Sequence, residues 1–259
     1  MMFAIRFVKT TGALALPLLL VVGCSRGVDL ELSEKFQQAQ RAFDEASSPE
    51  QFLTAAGLYQ EILDRGVVSG AVLYNQGNAF MQAGHRGRAI AAYRQAQRYR
   101  PRDPYLDANL RYALGADRPS GRRPVIEYLL FWQDWLSYPE KFYLAAGAAV
   151  ATFLLALIPF FVRGRRFVWM AATGAAIALL LAFSAVYDWH RYEYVTSGVI
   201  VQPEAVARKG YTATSQPAFT ESLGEGAEFR LVQRHDDWLL IRLPGGQEGW
   251  IEKQAAVLY

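Results

Sequence analysis

Two stretches of 21 residues, 142–162 and 167–187, carry no charged side chain, and between them stands Arg163-Gly164-Arg165-Arg166. As a helix each stretch would measure about 32 Å, the thickness of a bilayer's hydrocarbon core. Three guanidinium groups in the intervening turn cannot sit in lipid. The positive-inside rule therefore assigns Arg163, Arg165 and Arg166, the loop 163–166, to the cytoplasm and both flanks of the hairpin to the other side. The far ends agree, with Asp134 and Glu140 before the first stretch and Asp188 and Glu193 after the second. Trp132, Trp135, Tyr138 and Tyr143 mark one interface, and Tyr187, Trp189, Tyr192 and Tyr194 the other. The segment 125–138 is expected to lie in the headgroup layer as an amphipathic helix. Small residues (Ala145, Ala148, Ala149; Gly174, Ala175, Ala178) give each rod a face for close approach, and the hydroxyls of Thr152, Thr173 and Ser184 can bond back to helix carbonyls. A buried hairpin inside a soluble protein is the competing reading.

Residues 1–24 begin with Arg6 and Lys9, continue through an apolar stretch from 13 to 22, and end in Gly23-Cys24. This is the layout of a secretory signal, too short for a comfortable span. Its end, Val21-Val22-Gly23-Cys24, resembles a bacterial lipobox, which implies lipidation of Cys24. An ordinary cleaved signal or an uncleaved anchor is the alternative. With one cysteine no intramolecular disulfide can form. These features predict a bacterial inner-membrane, multi-pass protein whose soluble parts are exported.

Residues 34–115 read as helices, with apolar positions at three- and four-residue spacing and Gly or Pro at the breaks. Ala55, Tyr59 and Ile62 recur 34 positions later as Ala89, Tyr93 and Ala96. Counted from Gly70, the residues Leu73, Gly77, Phe80, Ala89, Tyr93, Ala96 and Pro101 fall at the spacing of a tetratricopeptide (TPR) repeat, which this segment resembles. In such a pair Gly77 and Ala89 are small because the helices cross there, and Phe80 and Tyr93 fill the adjoining space. The copy over 36–69 is degenerate in its first helix, and 105–114 would be a capping helix. By repeat position Tyr74, Asn75 and Asn78 should line the concave side. There the asparagines either bond a partner's backbone or are solvated or bonded locally. Ten arginines against three aspartates between 86 and 123 make a basic face for anionic lipid or an acidic partner, or an ordinary solvated surface. The net charge of +3 gives no case for nucleic acid.

From residue 195 the texture becomes β: short runs at 197–202, 228–233, 238–243 and 248–252 separated by turn residues. Leu243-Pro244-Gly245-Gly246 is a hairpin turn. The string Leu223-Gly224-Glu225-Gly226, then Trp238, then Gly249-Trp250-Ile251, resembles bacterial SH3-like domains. Trp238 and Trp250 belong either to the core or to a ligand groove, since SH3 grooves grip extended peptides with aromatics. Bacterial versions are often linked to peptidoglycan.

The expected fold class is thus a multi-domain membrane protein: a helical TPR unit, a transmembrane helical hairpin and a small all-β SH3-like barrel at 195–259. That combination, with Pro104-Tyr105-Leu106-Asp107-Ala108-Asn109-Leu110-Arg111-Tyr112-Ala113 after the repeat, is similar to BatE-type proteins of the Bat aerotolerance clusters. The resemblance implies a non-enzymatic partner of membrane-anchored von Willebrand A-domain proteins and a MoxR-type ATPase system. Two readings follow. One is a scaffold in which both modules, tethered to one hairpin, grip a shared partner at raised effective concentration. The other is an envelope sensor that binds peptidoglycan or peptide through the SH3-like module. No nucleophile–base arrangement, phosphate loop, metal spacing or cofactor motif argues for an enzyme. Asp236-Asp237 beside His235 reads as a solvated hairpin turn.

Overall fold

The computed structural model describes residues 15–115, 133, 135–160 and 165–259. Residues 1–14, most of the expected interfacial helix 125–138 and the loop residues Arg163 and Gly164 lie outside that set, as do the side chains of 15–29, Cys24 among them.

Five helices come first: α1 (Ala15–Asp44), α2 (Pro49–Asp64), α3 (Gly70–Gln82), α4 (Arg86–Gln97) and α5 (Pro104–Leu114), each packed on the next. Their starts are written locally. Ser48 and Gln51 form a capping box ahead of α2, with Pro49 in the first turn. The Asp103 carboxylate accepts from the amides of Tyr105 and Leu106 to open α5. The positions of the 34-residue self-similarity share one environment: Ala55, Tyr59, Ile62, Ala89, Tyr93 and Ala96 are all buried. At the α3–α4 crossing a Cβ on Gly77 would stand 2.5 Å from the Tyr93 ring, so the helices approach only because that position is bare. Phe80 flanks the crossing, partly buried.

Next come α6 (Tyr138–Leu157) and α7 (Arg165–Tyr194), packed along each other. Both are long and apolar enough to cross a membrane. Their outward rows, including Phe153, Leu154, Leu179 and Phe183, are uncovered by protein. The first rod differs from the uncharged stretch 142–162. It starts earlier, because Ser137 and Glu140 form a capping box with Pro139 in the first turn. It ends at Leu157, where Pro159, lacking a donor, turns the chain into a 3-10 segment, Ile158–Phe160. α7 runs past residue 187 to Tyr194. Of the three hydroxyls expected to bond back to their own helix, Thr173 does so, to the Trp169 carbonyl at 3.0 Å. Ser184 donates instead to the Gln133 side chain. Thr152 Oγ1 has no hydrogen-bond partner among the described residues and faces Gly174, whose absent Cβ would stand 2.5 Å away.

The end of this hairpin remote from Arg165 is closed by a buried polar knot. Lys141, 0% exposed, donates to Asp188 Oδ2 at 2.5 Å and to the Gln133 carbonyl at 2.5 Å. The Gln133 amide nitrogen donates in turn to Asp188 Oδ1 at 2.5 Å. Both charges flank the uncharged stretches in sequence, yet neither is solvated.

Val195 and Thr196 alone separate α7 from the β module. Its strands are β1 (Ser197–Ile200), β2 (Glu204–Ala205), β3 (Leu223–Gly224), β4 (Glu228–His235), β5 (Trp238–Arg242), β6 (Glu248–Glu252) and β7 (Ala256–Leu258). Five form an antiparallel sheet in the order β6-β5-β4-β1-β7, and β2 pairs with β3. Sequence periodicity missed β7 and the two-residue β2 and β3, which are too short to show alternation. Asp236 at φ 50° and Gly246 at φ 84° make the two hairpin turns. Phe229, Leu239, Ile241 and Ile251 fill the module's interior.

The β module is docked on the helical unit. Val199 of β1 belongs to the same buried cluster as Leu73, Ile90 and Tyr93, with Val201, Val257 and Tyr259 packed against it. α4 has no cap of its own, since the side chain of His85 makes no such bond. Glu225 supplies one from 138 positions further along, its Oε1 accepting from the Gly87 amide at 2.8 Å. A carboxylate there satisfies an orphan donor and complements the helix dipole. Arg94, near the other end of α4, holds Glu228 through two bonds of 2.7 and 3.0 Å, and Tyr259 donates to the same carboxylate at 3.0 Å.

Candidate ligand groove on the β module

The outer face of the sheet is built by alternation. Along β5 and β6 the residues Leu239, Ile241, Gly249 and Ile251 point inward and are buried, which turns Trp238, Leu240 and Trp250 the other way. Trp250 stands opposite Leu240 in register. Along the free edge of β6 runs the loop 206–219. It is held by the reciprocal backbone bonds of Arg208 and Trp250 (2.7 and 2.8 Å) and by the Ala218 amide on the Ala207 carbonyl (2.8 Å). Gly249 is bare because the loop crosses it: a Cβ would stand 3.0 Å from that of Ala207 and 3.2 Å from that of Ala218. Arg208 Nη1 stiffens the loop, donating to the Ser215 carbonyl at 2.9 Å.

The loop thereby places Tyr211 against the sheet. Its ring centroid lies 4.2 Å from that of His235 and 5.5 Å from that of Trp250, and His235 lies 6.3 Å from Trp250. Tyr211 is 49% exposed. Three rings from β4, β6 and a loop thus form a platform that is open on one side. Such rings offer planar apolar surface with polar edges, suited to stacking on an extended chain. Trp238, at the turn opposite His235, is half-buried and makes no ring contact among the described residues. Tyr211 and His235 were not singled out from sequence as groove residues. Tyr211 sits in a Thr/Ser/Gly-rich run without periodicity, and His235 reads as part of a turn.

The other sequence-derived positions lie elsewhere. Tyr74, Asn75 and Asn78 lie along α3, and each side chain has a hydrogen-bond partner within the helical unit. Asn75 Nδ2 donates to Gln40 Oε1 at 3.1 Å. Asn78 Oδ1 accepts from the Tyr93 hydroxyl at 2.8 Å and from Asn109 Nδ2 at 2.9 Å. The Tyr74 hydroxyl accepts from Asn109 Nδ2 at 3.1 Å. These bonds tie α3 to α1, α4 and α5, the locally bonded alternative for the asparagines. Arg165 and Arg166 are exposed at the start of α7. Several of the described arginines of the dense 86–123 run serve as ties. Arg86 donates to the Ala113 carbonyl at 2.6 Å, Arg100 pairs with Asp103 at 2.5 Å, and Arg102 pairs with Glu140 at 2.5 Å while lying over Trp135.

A model of the bacterial SH3 domain family matches residues 201–255. No curated protein and no solved structure matches the chain. The matched segment holds the whole aromatic platform. β1 and β7, the strands that touch α4, lie just outside it.

Proposed function

We propose, from a bacterial SH3 domain carrying an open aromatic platform and docked on a helical unit at one end of an apolar hairpin, that the protein is a non-enzymatic, membrane-anchored adaptor. On this reading α6 and α7 span the bacterial inner membrane, and the arginine turn lies in the cytoplasm. The helical unit, read as a TPR stack, and the SH3 domain stand together on the exported side. The carrying observation is the Tyr211–His235–Trp250 platform, built on β4, β6 and a loop rather than on β1 and β7, the strands that touch α4. Its chemistry suits an extended peptide segment of an envelope protein. The BatE-like layout favours membrane-anchored von Willebrand A-domain proteins as the partners and an envelope-stress or aerotolerance complex as the setting, with Cys24 as a lipid anchor. A peptidoglycan- or peptide-binding envelope sensor is the second reading, favoured by the SH3 match itself.

Purification from mild detergent tests the adaptor. The Tyr211→Ala/Trp250→Ala variant is expected to lose co-purifying partners about tenfold or more, since two ring contacts at roughly 0.5–1.5 kcal/mol each beyond burial act together. An unchanged partner set with sacculus binding lost would move the platform to the second reading. Topology has its own assay. Alkaline phosphatase fused after Tyr259 should be active and a fusion at residue 164 inactive; the reverse pattern would overturn the orientation.

A further inference from the structure

The helical unit, the outer end of α7 and the β module meet around a cleft of about 830 Å³. Five arginines line it, against the carboxylates of Asp107 and Glu228. Those carboxylates are already engaged, Glu228 by Arg94 at 2.7 Å and Asp107 by Arg111 at 3.3 Å. Arg242 is held by Glu248 at 2.6 Å. Arg98, Arg191 and Arg230 remain, with no carboxylate at ion-pair distance among the described residues. Arg98 is fixed in place, its guanidinium carbon 4.7 Å from the centre of the Tyr192 ring. Burial first, and the nearby Arg191 charge as well, hold Arg98 below the ordinary arginine range. A cleft that gathers like charges at this cost is built for an anion.

Its depth says which kind. Arg191 stands four residues beyond Tyr187, where the uncharged run ends, which is about 6 Å along a helix. That is the level of lipid headgroups, which add roughly 5–7 Å to each side of the hydrocarbon core. Arginine forks match phosphate oxygens bidentately, and Leu136 and Val195 add apolar lining for the neighbouring glycerol.

We propose that this cleft is a phosphate site that takes the headgroup of an anionic phospholipid between Arg98, Arg191 and Arg230, an assignment that rests on the membrane reading above. The lipid would wedge the two soluble units onto the end of the hairpin.

Native mass spectrometry of the full chain in detergent, with phosphatidylglycerol, phosphatidylcholine or inorganic phosphate added, tests this. Phosphatidylglycerol should be retained over phosphatidylcholine, and Arg98→Gln/Arg191→Gln should weaken retention about thirty-fold, from roughly fivefold per lost arginine. Arg242→Gln, whose charge is already engaged by Glu248, should leave retention within about twofold. Phosphate binding that falls in the double variant without preference between the lipids would support the site with a soluble phosphate ester as its source. Equal retention of every probe by wild type and double variant overturns the proposal. Should the double variant fail to fold by circular dichroism, the exposed Arg230→Gln carries the same test. Failure of the membrane reading shows separately, as a chain that stays soluble without detergent.

Discussion

Replacing Lys141 by methionine is expected to destabilise the α6–α7 hairpin by about 3–5 kcal/mol, because it strands the Asp188 carboxylate in a site sealed from water. Asp188 is 3% exposed and receives its hydrogen bonds from Lys141 and Gln133. Asp188→Leu should cost a similar amount, leaving an ammonium with only the Gln133 carbonyl. The double variant Lys141→Met/Asp188→Leu should recover most of that loss, since a matched apolar pair carries no desolvation penalty. Denaturant titration of the purified chain in micelles, followed by helical circular dichroism, reads all three. Single-variant costs under about 1 kcal/mol, the value of a solvated pair, would mean that water reaches the knot.

The second large effect is expected at Gly87. A Cβ there would stand 2.3 Å from the Ile200 carbonyl oxygen and 3.0 Å from Val201 Cα. Both are backbone atoms of the β module, so no side-chain rotation relieves the clash. Gly87→Ala should lift the module from α4 at about 3 kcal/mol, the upper part of the overpacking range. The amides of β1 and β7 and the first turn of α4 should then exchange hydrogen faster together, while the β4–β5 hairpin keeps its protection. Glu225→Ala is the milder companion: it removes the borrowed cap at about 1 kcal/mol and leaves the docked geometry in place. If Gly87→Ala left exchange in β1 unchanged, the shared core between the two units would be refuted.

What could be read from sequence was what periodicity and local chemistry encode. The apolar rods and the Leu243–Gly246 turn depend on residues within a few positions of one another, and the bare Gly77 at a crossing on the fixed spacing of one repeat. What escaped was set by residues far apart. Glu225 reads as half of a turn, yet its carboxylate completes a helix 138 positions earlier. Asp188 reads as an interfacial flank because its pairing with Lys141 is visible only once the rods lie side by side. Tyr74, Asn75 and Asn78 read as groove-facing from repeat position, while their partners Gln40 and Asn109 belong to other helices. The platform was half legible: Trp250 stood out, but Tyr211 reaches it only through a loop with no periodic signature.

The borrowed cap and the shared core also set an order of events during biosynthesis. A chain made from its N-terminus exposes α4, with Ile90 on its flank, long before the strands that cover it exist. Those strands follow the apolar hairpin in the chain, so they are made only after it. Until then the helical unit is left incomplete, with apolar surface open to holding chaperones, and the late strands close it.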